Sequence, residues 1–349
     1  MQKHTKVNYT ICLIRIIACI LIVFTHISNN MLDGKGNRLL WASIGVQIFF
    51  FMSGYLYSGQ VISDRKLWLK KNIYKILKPY YLYLLIMIPV IALIASEEIS
   101  IVKSLVAFFC LQGFGIYIEG LGQHWFITYI LICYVITIFV LNRLHFSHED
   151  DNLNGKGYAT WFLLGVAFII GQLVTIPLAL LISFKVAYIF TFITGYIYGI
   201  RFKNGDNLKE KRIIDFVFYI ISLLGLLIRI YLDNVALAGI YGTIASLCIQ
   251  WIKLFQGGAI YIAFINLIPS NKWCNVEDNI KKKIYRISSW TFEIYIVHEF
   301  FTCSMFTRYL GTEKKLQIII VLFVIGIVTC CLILLEKLVD IILGRISRE

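Results

Sequence analysis

The sequence has few charged residues. Only 15% of its 349 residues are Asp, Glu, Lys or Arg, whereas 59% are hydrophobic and the mean hydropathy is +0.78. A soluble domain carries about 25% charged residues, and no soluble fold could bury so large an apolar fraction. The composition therefore excludes a soluble domain and predicts a chain embedded in a lipid bilayer.

Several chemical signatures are also missing. The nine cysteines lie in or beside apolar segments without metal-ligand spacing, so no metal site is predicted. Ser53-Gly54-Tyr55 lacks the G-x-S-x-G elbow of a nucleophilic serine, and its small residues predict close helix packing instead. The loops between apolar segments are too short for a soluble module. We therefore predict a single membrane domain over residues 1–349.

About ten apolar segments are long enough to cross a bilayer, which takes roughly 20 residues. We expect an all-α integral membrane protein with spans near 8–28, 39–60, 77–96, 122–141, 158–176, 184–200, 213–231, 240–268, 287–306 and 316–335. The first span is expected to stay attached, because its apolar part is too long for a signal peptide. Segment 99–118 is expected to form a short or re-entrant helix, and 234–268 a tilted or broken one.

The 33 Lys and Arg outnumber the 20 acidic residues and give a net charge of +13. With the N-terminus inside, 23 of them fall in inner segments and 7 in outer ones. Basic residues collect on the cytoplasmic side, so we expect both termini in the cytoplasm. Membrane topology thus accounts for the charge, and no nucleic-acid partner is expected.

Two ionisable residues occupy the first span. Arg15 and His26 are separated by ten residues, and eleven helical positions advance about 1100°, which is three turns plus only about 20°. The two side chains therefore share one helix face. Ionisable groups inside a membrane are costly, so the pair predicts a functional track across the bilayer. Alternatively, Arg15 reaches the headgroups, and His26 bonds to Asn29 or Asn30 at the helix end.

Four other polar residues are candidates for binding substrate. His124 and Trp125 begin the fourth span, where they fit a substrate site or an interfacial anchor equally well. Glu293 and His298 lie on different faces of the ninth span. A buried carboxyl group needs a partner or a proton.

The sequence does not decide the roles of three further charged residues. Lys253 in the eighth span is the expected partner of Glu293, in a pair that is either structural or catalytic. Arg229 and Asp233 are spaced i,i+4 and are expected to pair at the end of the seventh span.

Three motifs accompany the Arg-x10-His spacing: FFFMSGYL at 49–56, HWFITY at 124–129 and IYIVH at 294–298. Together with the predicted ten spans they resemble the acyltransferase-3 family, over nearly the whole chain. That family comprises ten-span membrane O-acyltransferases, many of which acetylate cell-envelope glycans with cytosolic acetyl-CoA. An Arg-x10-His pattern in the first span is its characteristic motif.

The resemblance implies an O-acetyltransferase of the plasma membrane. Its acyl donor would be acetyl-CoA, its acceptor a cell-surface or lipid-linked glycan, and no metal would take part. Arg15 is then expected to hold the phosphorylated part of the donor, because a guanidinium group forks onto phosphate oxygens. His26 is expected either to deprotonate a sugar hydroxyl or to carry the acyl group.

Two other classes stay open on the sequence. One is a non-enzymatic transporter or an amino-acid-binding membrane domain like those fused to serine racemases, and the other is a scaffold for envelope synthesis. A transporter often has an inverted repeat, and no repeat is visible here. Acceptor identity, acyl-chain length and oligomeric state are encoded in no motif.

Overall fold

Helices make up most of the computed structural model, which describes residues 7–32, 43–60, 62–141, 185–203, 208–235, 239–311 and 313–346 and contains no strand within them. The all-α prediction is therefore confirmed for these residues. In chain order the helices are α1 Tyr9–Met31, α2 Gly45–Tyr57, α3 Arg65–Ile94, α4 Ile101–Phe108, α5 Trp125–Ile136, α6 Ala187–Phe202, α7 Leu208–Asn234, α8 Gly239–Leu267, α9 Asp278–Ser289, α10 Thr291–Thr302, α11 Ser304–Thr307 and α12 Lys314–Ile346.

Six helical stretches are long and apolar enough to cross a membrane: Tyr9–Met31, Arg65–Ile94, Gly122–Phe139, Leu208–Leu232, Ile244–Leu267 and Lys314–Leu343. Three other predicted spans coincide with the shorter helices α2, α6 and α10, of 13, 16 and 12 residues. The predicted span 158–176 lies outside the described residues. The chain is a multi-pass membrane protein, while ten crossings and cytoplasmic termini stay predictions.

Two local expectations have clear outcomes. Segment 99–118 forms the eight-residue helix α4 followed by turns, as a short helix was predicted. Of the two alternatives for 234–268, a tilted or a broken helix, the structure shows no break from Gly239 to Leu267, where α8 is one continuous helix of 29 residues. Such a helix is about 43 Å long, more than the roughly 30 Å hydrocarbon core, so a tilt or an overhang accommodates it.

Helix α1 lies in the middle of the bundle and packs against α2, α8, α9 and α10. Its first turn is fixed by the Thr10 hydroxyl, which donates to the carbonyl of Ile268 over 2.6 Å and accepts from the Trp273 indole over 2.7 Å. The start of α1 therefore lies beside the end of α8 and the lysine-rich helix α9. We call this side of the molecule the basic end.

Helices α2 and α6 approach each other closely because glycine faces backbone at their crossing. A Cβ atom on Gly54 would overlap the carbonyl of Phe192, and one on Gly195 would overlap the carbonyl of Phe51. The small residues of the 53–55 segment thus serve helix packing, as predicted. At the basic end the Lys203 ammonium donates to the carbonyl of Ser58 over 3.1 Å and joins the same two helices.

Candidate active site

Helices α1 and α10 run parallel and in step. The Cys19 thiol lies 3.5 Å from the carbonyl of Thr291, and two turns further along both helices the rings of His26 and His298 meet edge to face, with centroids 4.8 Å apart. The two histidines, 272 residues apart in sequence, are therefore neighbours. The sequence singled out both residues but did not predict that they touch.

His298 is completely buried, and a hydrogen bond fixes its ring. Its Nδ1 lies 2.7 Å from the carbonyl oxygen of Tyr295, which can only accept, so Nδ1 carries the proton. The other nitrogen, Nε2, is buried and has no hydrogen-bond partner among the described residues. His298 thus presents an unused acceptor beside the half-buried ring of His26.

His124 lies on a third side of the same cluster. Its ring is fully buried and meets the rings of Tyr80 and Tyr83 nearly at right angles, at centroid distances of 5.2 and 5.8 Å. Its Nε2 donates to the carbonyl of Ile296 over 3.1 Å, and it interacts electrostatically with His298. His26, His124 and His298 therefore gather around α10.

Hydrogen bonds hold the loop before α5 against α10. The Tyr295 hydroxyl donates to the carbonyl of Gln123 over 2.6 Å, and the Gln123 amide group donates to the carbonyl of Ile296 over 2.9 Å. The backbone N–H of Gln123 also donates to the Glu299 carboxylate. These bonds fix His124 relative to His298.

A polar cavity of about 490 Å³ opens beyond the histidines, away from the basic end. Asn30, one turn after His26 on α1, and Glu299, next to His298 on α10, both line it. Its other lining residues are Glu98, Lys103, Tyr117, Glu119, Gly120, Cys303 and Ser304. Three carboxyl groups and one ammonium group therefore face this space.

Arg15 lies on the opposite side of His26, nearer the basic end. Helix α1 is continuous, so the two residues are about 16 Å apart along its axis. The half-buried Arg15 guanidinium interacts electrostatically with the hydroxyl groups of Tyr57, Tyr134 and Tyr261. It forms no hydrogen bond or ion pair with any residue in the described ranges.

The tyrosines near Arg15 belong to three helices and form part of a polar network. The Tyr57 hydroxyl bonds to Asn72 over 3.1 Å and to the Tyr134 hydroxyl over 3.3 Å. The buried Tyr261 hydroxyl has no partner in the described part of the chain. A cation surrounded by hydroxyl groups in this way is suited to binding an anionic oxygen-rich group.

Two predicted site residues lie away from the histidines. Trp125 packs on Tyr188 of α6 with ring centroids 4.5 Å apart. Glu293 belongs to the contact between α10 and α12, where its charged neighbours are Lys78 and Glu336. Neither residue joins the cluster of histidines.

The expected pair between Lys253 and Glu293 is wrong, because these two residues form no ion pair. Lys78 of α3 is instead the cation near Glu293, and it also pairs with Glu336 over 3.3 Å. The predicted pairing of Arg229 with Asp233 cannot be followed, since the Asp233 side chain lies outside the described part of the structure.

Arg229 is nevertheless one of the largest fully buried side chains. It donates to the Ser43 hydroxyl over 2.9 Å and to the side-chain oxygen of Gln256. These bonds join α7 to α8 and to the residues just before α2. Arg229 thus stabilises the packing of three elements rather than only the end of its own helix.

Sequence reasoning missed Glu299, Tyr295 and Gln123. The signal was present for Glu299, since a carboxyl group directly after His298 in an apolar segment is unusual. Tyr295 and Gln123 act through backbone bonds that no spacing rule reveals. No group of three or more His, Cys, Asp or Glu within the described ranges could hold a metal ion.

The fold and the buried polar cluster define a helical multi-pass membrane protein with ionisable side chains gathered inside its bundle. A family model for an acyltransferase domain matches residues 8–336, nearly the whole chain. The chain therefore belongs to the acyltransferase-3 family. No curated protein and no solved structure matches it.

Proposed function

We propose that the protein transfers an acetyl group from acetyl-CoA to a hydroxyl of a cell-surface or lipid-linked glycan at the plasma membrane. One observation carries this proposal. His26 lies on α1 in contact with the buried His298, and it has Arg15 on one side and the polar cavity on the other. A reactive histidine between an anion-binding region and a polar cavity suits transfer between two substrates that arrive from opposite sides.

The surroundings of Arg15 support binding of the donor. CoA carries several phosphate groups, and a guanidinium group with nearby hydroxyls offers the charge-assisted hydrogen bonds that phosphates accept. Lys75 adds a second positive charge close to Arg15. With the phosphates bound there, the extended pantetheine arm would reach along α1 and bring the thioester toward His26.

The chemical step needs one base. His26 takes the proton from the acceptor hydroxyl while the oxygen attacks the thioester carbonyl carbon. The C–O bond forms, the C–S bond breaks, and His26 returns the proton to the CoA thiolate. The alternative is that His26 attacks first and carries the acetyl group, which it then passes to the hydroxyl.

The polar cavity supports a hydroxyl-bearing acceptor. Glu119 and Ser304 already bond to each other over 3.2 Å at its edge, and Glu98 pairs with Lys103 over 2.9 Å. Carboxylate and amide groups of this kind bind sugar hydroxyls by accepting and donating hydrogen bonds. The excess of negative charge suits a neutral or amino sugar better than an anionic one.

A non-enzymatic transporter is the second candidate. Transporters often bind their substrate where a helix is interrupted, and the segment formed by α9 and α10 is interrupted at Trp290. The two candidates differ in what happens to acetyl-CoA. A transporter would accumulate its substrate and leave the thioester intact.

The test is transfer by the full-length protein in membrane vesicles. Vesicles with matched amounts of wild-type protein or His26→Ala receive acetyl-CoA carrying a labelled acetyl group. CoA release and labelled glycan are then measured. The proposal requires both products with the wild type and neither above background with His26→Ala. Uptake of a solute without any loss of thioester would favour the transporter.

A further inference from the structure

We propose that His298 is the positioning residue for His26, and that the two rings act as one base that takes up a single additional proton. This inference rests on the proposed function, because it assigns a role within the same proton transfer. It goes beyond that function by giving the buried histidine a task distinct from binding substrate.

The first observation is that the protonation of His298 is fixed. Its Nδ1–H donates to the carbonyl of Tyr295 one turn earlier on α10, so Nε2 holds a lone pair. Full burial shields that nitrogen from bulk solvent. A buried acceptor without a partner costs free energy, and its retention calls for a functional explanation.

The second observation is that the other groups around His298 are already engaged. On α1, the Cys19 thiol points to the carbonyl of Thr291, and on α3 the Tyr83 hydroxyl donates to the carbonyl of Val297. On α10 itself, the Tyr295 hydroxyl donates to the carbonyl of Gln123.

The two titratable groups on the remaining side also make hydrogen bonds, although Nδ1 of His124 has no partner in the described part of the chain and, with the proton on Nε2, can only accept. His124 donates its Nε2 proton to the carbonyl of Ile296, and the Glu299 carboxylate accepts the backbone N–H of Gln123. His26 is therefore the titratable ring in contact with His298 that has no other hydrogen bond in the described part of the chain.

The geometry allows the two rings to cooperate. They meet at an interplanar angle of 77° and form no hydrogen bond with each other in this state. The bond to Tyr295 holds His298, whereas the half-buried His26 has no such restraint. A turn of the His26 ring about its Cβ–Cγ bond directs one N–H at the lone pair of His298 and leaves the other nitrogen free.

The proton balance follows from this arrangement. The free nitrogen of His26 takes the proton of the acceptor hydroxyl, and the resulting imidazolium donates its other N–H to His298 Nε2. The hydrogen bond stabilises the positive charge at the moment it forms. His26 then returns the proton to the CoA thiolate, so His298 ends the cycle unchanged. Positive charges on both adjacent rings at the same time would repel, which limits the pair to one additional proton.

The experiment follows the histidine protonation directly. The sequence has six histidines, so ¹⁵N-histidine NMR spectra of the full-length protein in detergent micelles are simple enough to assign with single substitutions. We compare pH titrations of the wild type, His298→Phe and His298→Gln. Phe fills the space without accepting a hydrogen bond, whereas Gln supplies an acceptor oxygen that cannot titrate.

If the titrations of His26 and His298 are coupled, the following results are expected. In the wild type the signals of His26 and His298 move together in one single-proton step. In His298→Phe the midpoint of His26 falls by at least one pH unit, because its imidazolium has lost its partner, and His298→Gln restores part of that shift. Transfer by His298→Phe falls about 10- to 100-fold in kcat with an unchanged KM for acetyl-CoA, as expected for a lost charge-assisted bond.

The proposal is overturned if His26 titrates with the same midpoint in the wild type and His298→Phe, or if the two rings take up two protons independently. If His298→Phe does not fold, the wild-type titration decides: one shared single-proton step of His26 and His298 supports the proposal, and two independent protonations overturn it. Coupled titration without any acetyl transfer would leave the pairing intact and reject the proposed function. Acetyl transfer by a protein in which His26 titrates independently would support the proposed function and reject the pairing.

Discussion

Asn30 and Glu299 face the same cavity, each just beyond one member of the histidine pair. Asn30 follows His26 by one turn of α1, and Glu299 follows His298 directly on α10. The two helices that hold the candidate base therefore also contribute to the lining of the cavity, and we expect an acceptor to enter there.

Loss of the imidazole at position 26 is expected to abolish transfer. His26→Ala and His26→Gln should lower acetyl transfer by at least about 10²- to 10⁴-fold, the contribution of a positioned proton-transfer group, and Gln should fail because it cannot titrate. Labelled acetyl transfer in vesicles measures the effect. Asn29→Ala, at an exposed site on the same helix, is the matched control. Substantial transfer by His26→Gln would leave His26 as an orienting residue.

Removal of the guanidinium group is expected to weaken donor binding. Arg15→Ala should raise the Kd for acetyl-CoA about ten- to a hundredfold, because charge-assisted hydrogen bonds contribute roughly 1.5–3 kcal/mol. Isothermal titration with the detergent-solubilised protein measures this. Lys66→Ala, an exposed basic residue at the start of α3, serves as control. Equal affinity in wild type and Arg15→Ala would reassign Arg15 to anchoring at the headgroups.

A substitution in the cavity is expected to change binding of the glycan acceptor but not binding of acetyl-CoA. Glu119→Gln removes one carboxylate from the cavity edge and alters its bond to Ser304. We expect a several-fold higher KM for the glycan acceptor, with the Kd for acetyl-CoA unchanged, since Arg15 lies far along α1. Initial rates over a range of acceptor concentrations test this. A change in donor affinity alone would contradict an acceptor role for the cavity.

Topology can be tested with single cysteines and a membrane-impermeant thiol reagent on intact cells. Positions 70 and 283 should be protected on the cytoplasmic side, whereas positions 35 and 314 should be labelled. Exposed native cysteines, such as Cys274, are replaced first. Labelling at position 70 but not at position 35 would reverse the orientation.

The crossing of α2 and α6 should tolerate no added side chain. Gly195→Val places new atoms against the carbonyl of Phe51 and should cost about 1–3 kcal/mol of stability, as overpacking does. The unfolding midpoint of the purified protein should fall. Gly326→Ala is the control, because no atom lies near its Cβ position and Ala favours a helix by up to about 1 kcal/mol. An equal loss in both variants would point to a general effect of glycine replacement.

Local sequence patterns were sufficient to predict some structural features of this protein. The spacing of Arg15 and His26 places both on one side of α1 because a continuous helix has a fixed pitch. The smallness of the residues around Gly54 likewise predicted close packing. These properties depend on a single helix.

Relationships between helices were beyond the reach of those patterns. Hydropathy identified the segments that hold Lys253 and Glu293 but not which helices are neighbours, so the cation near Glu293 proved to be Lys78. The meeting of His26 with His298 depends on the parallel register of α1 and α10, which only tertiary packing sets. The apolar run at 287–306 also overestimated the length of α10, because hydropathy does not distinguish one helix from the apolar turns that separate it from its neighbours.

The distance in sequence between α1 and α10 has a consequence for synthesis. His26 enters the membrane before its neighbour His298, which is made 272 residues later. Contacts of such high sequence separation form late, after most of the chain has been inserted. A nascent chain therefore has no assembled pair of histidines, and the proposed chemistry of the pair can begin only after α10 has packed against α1.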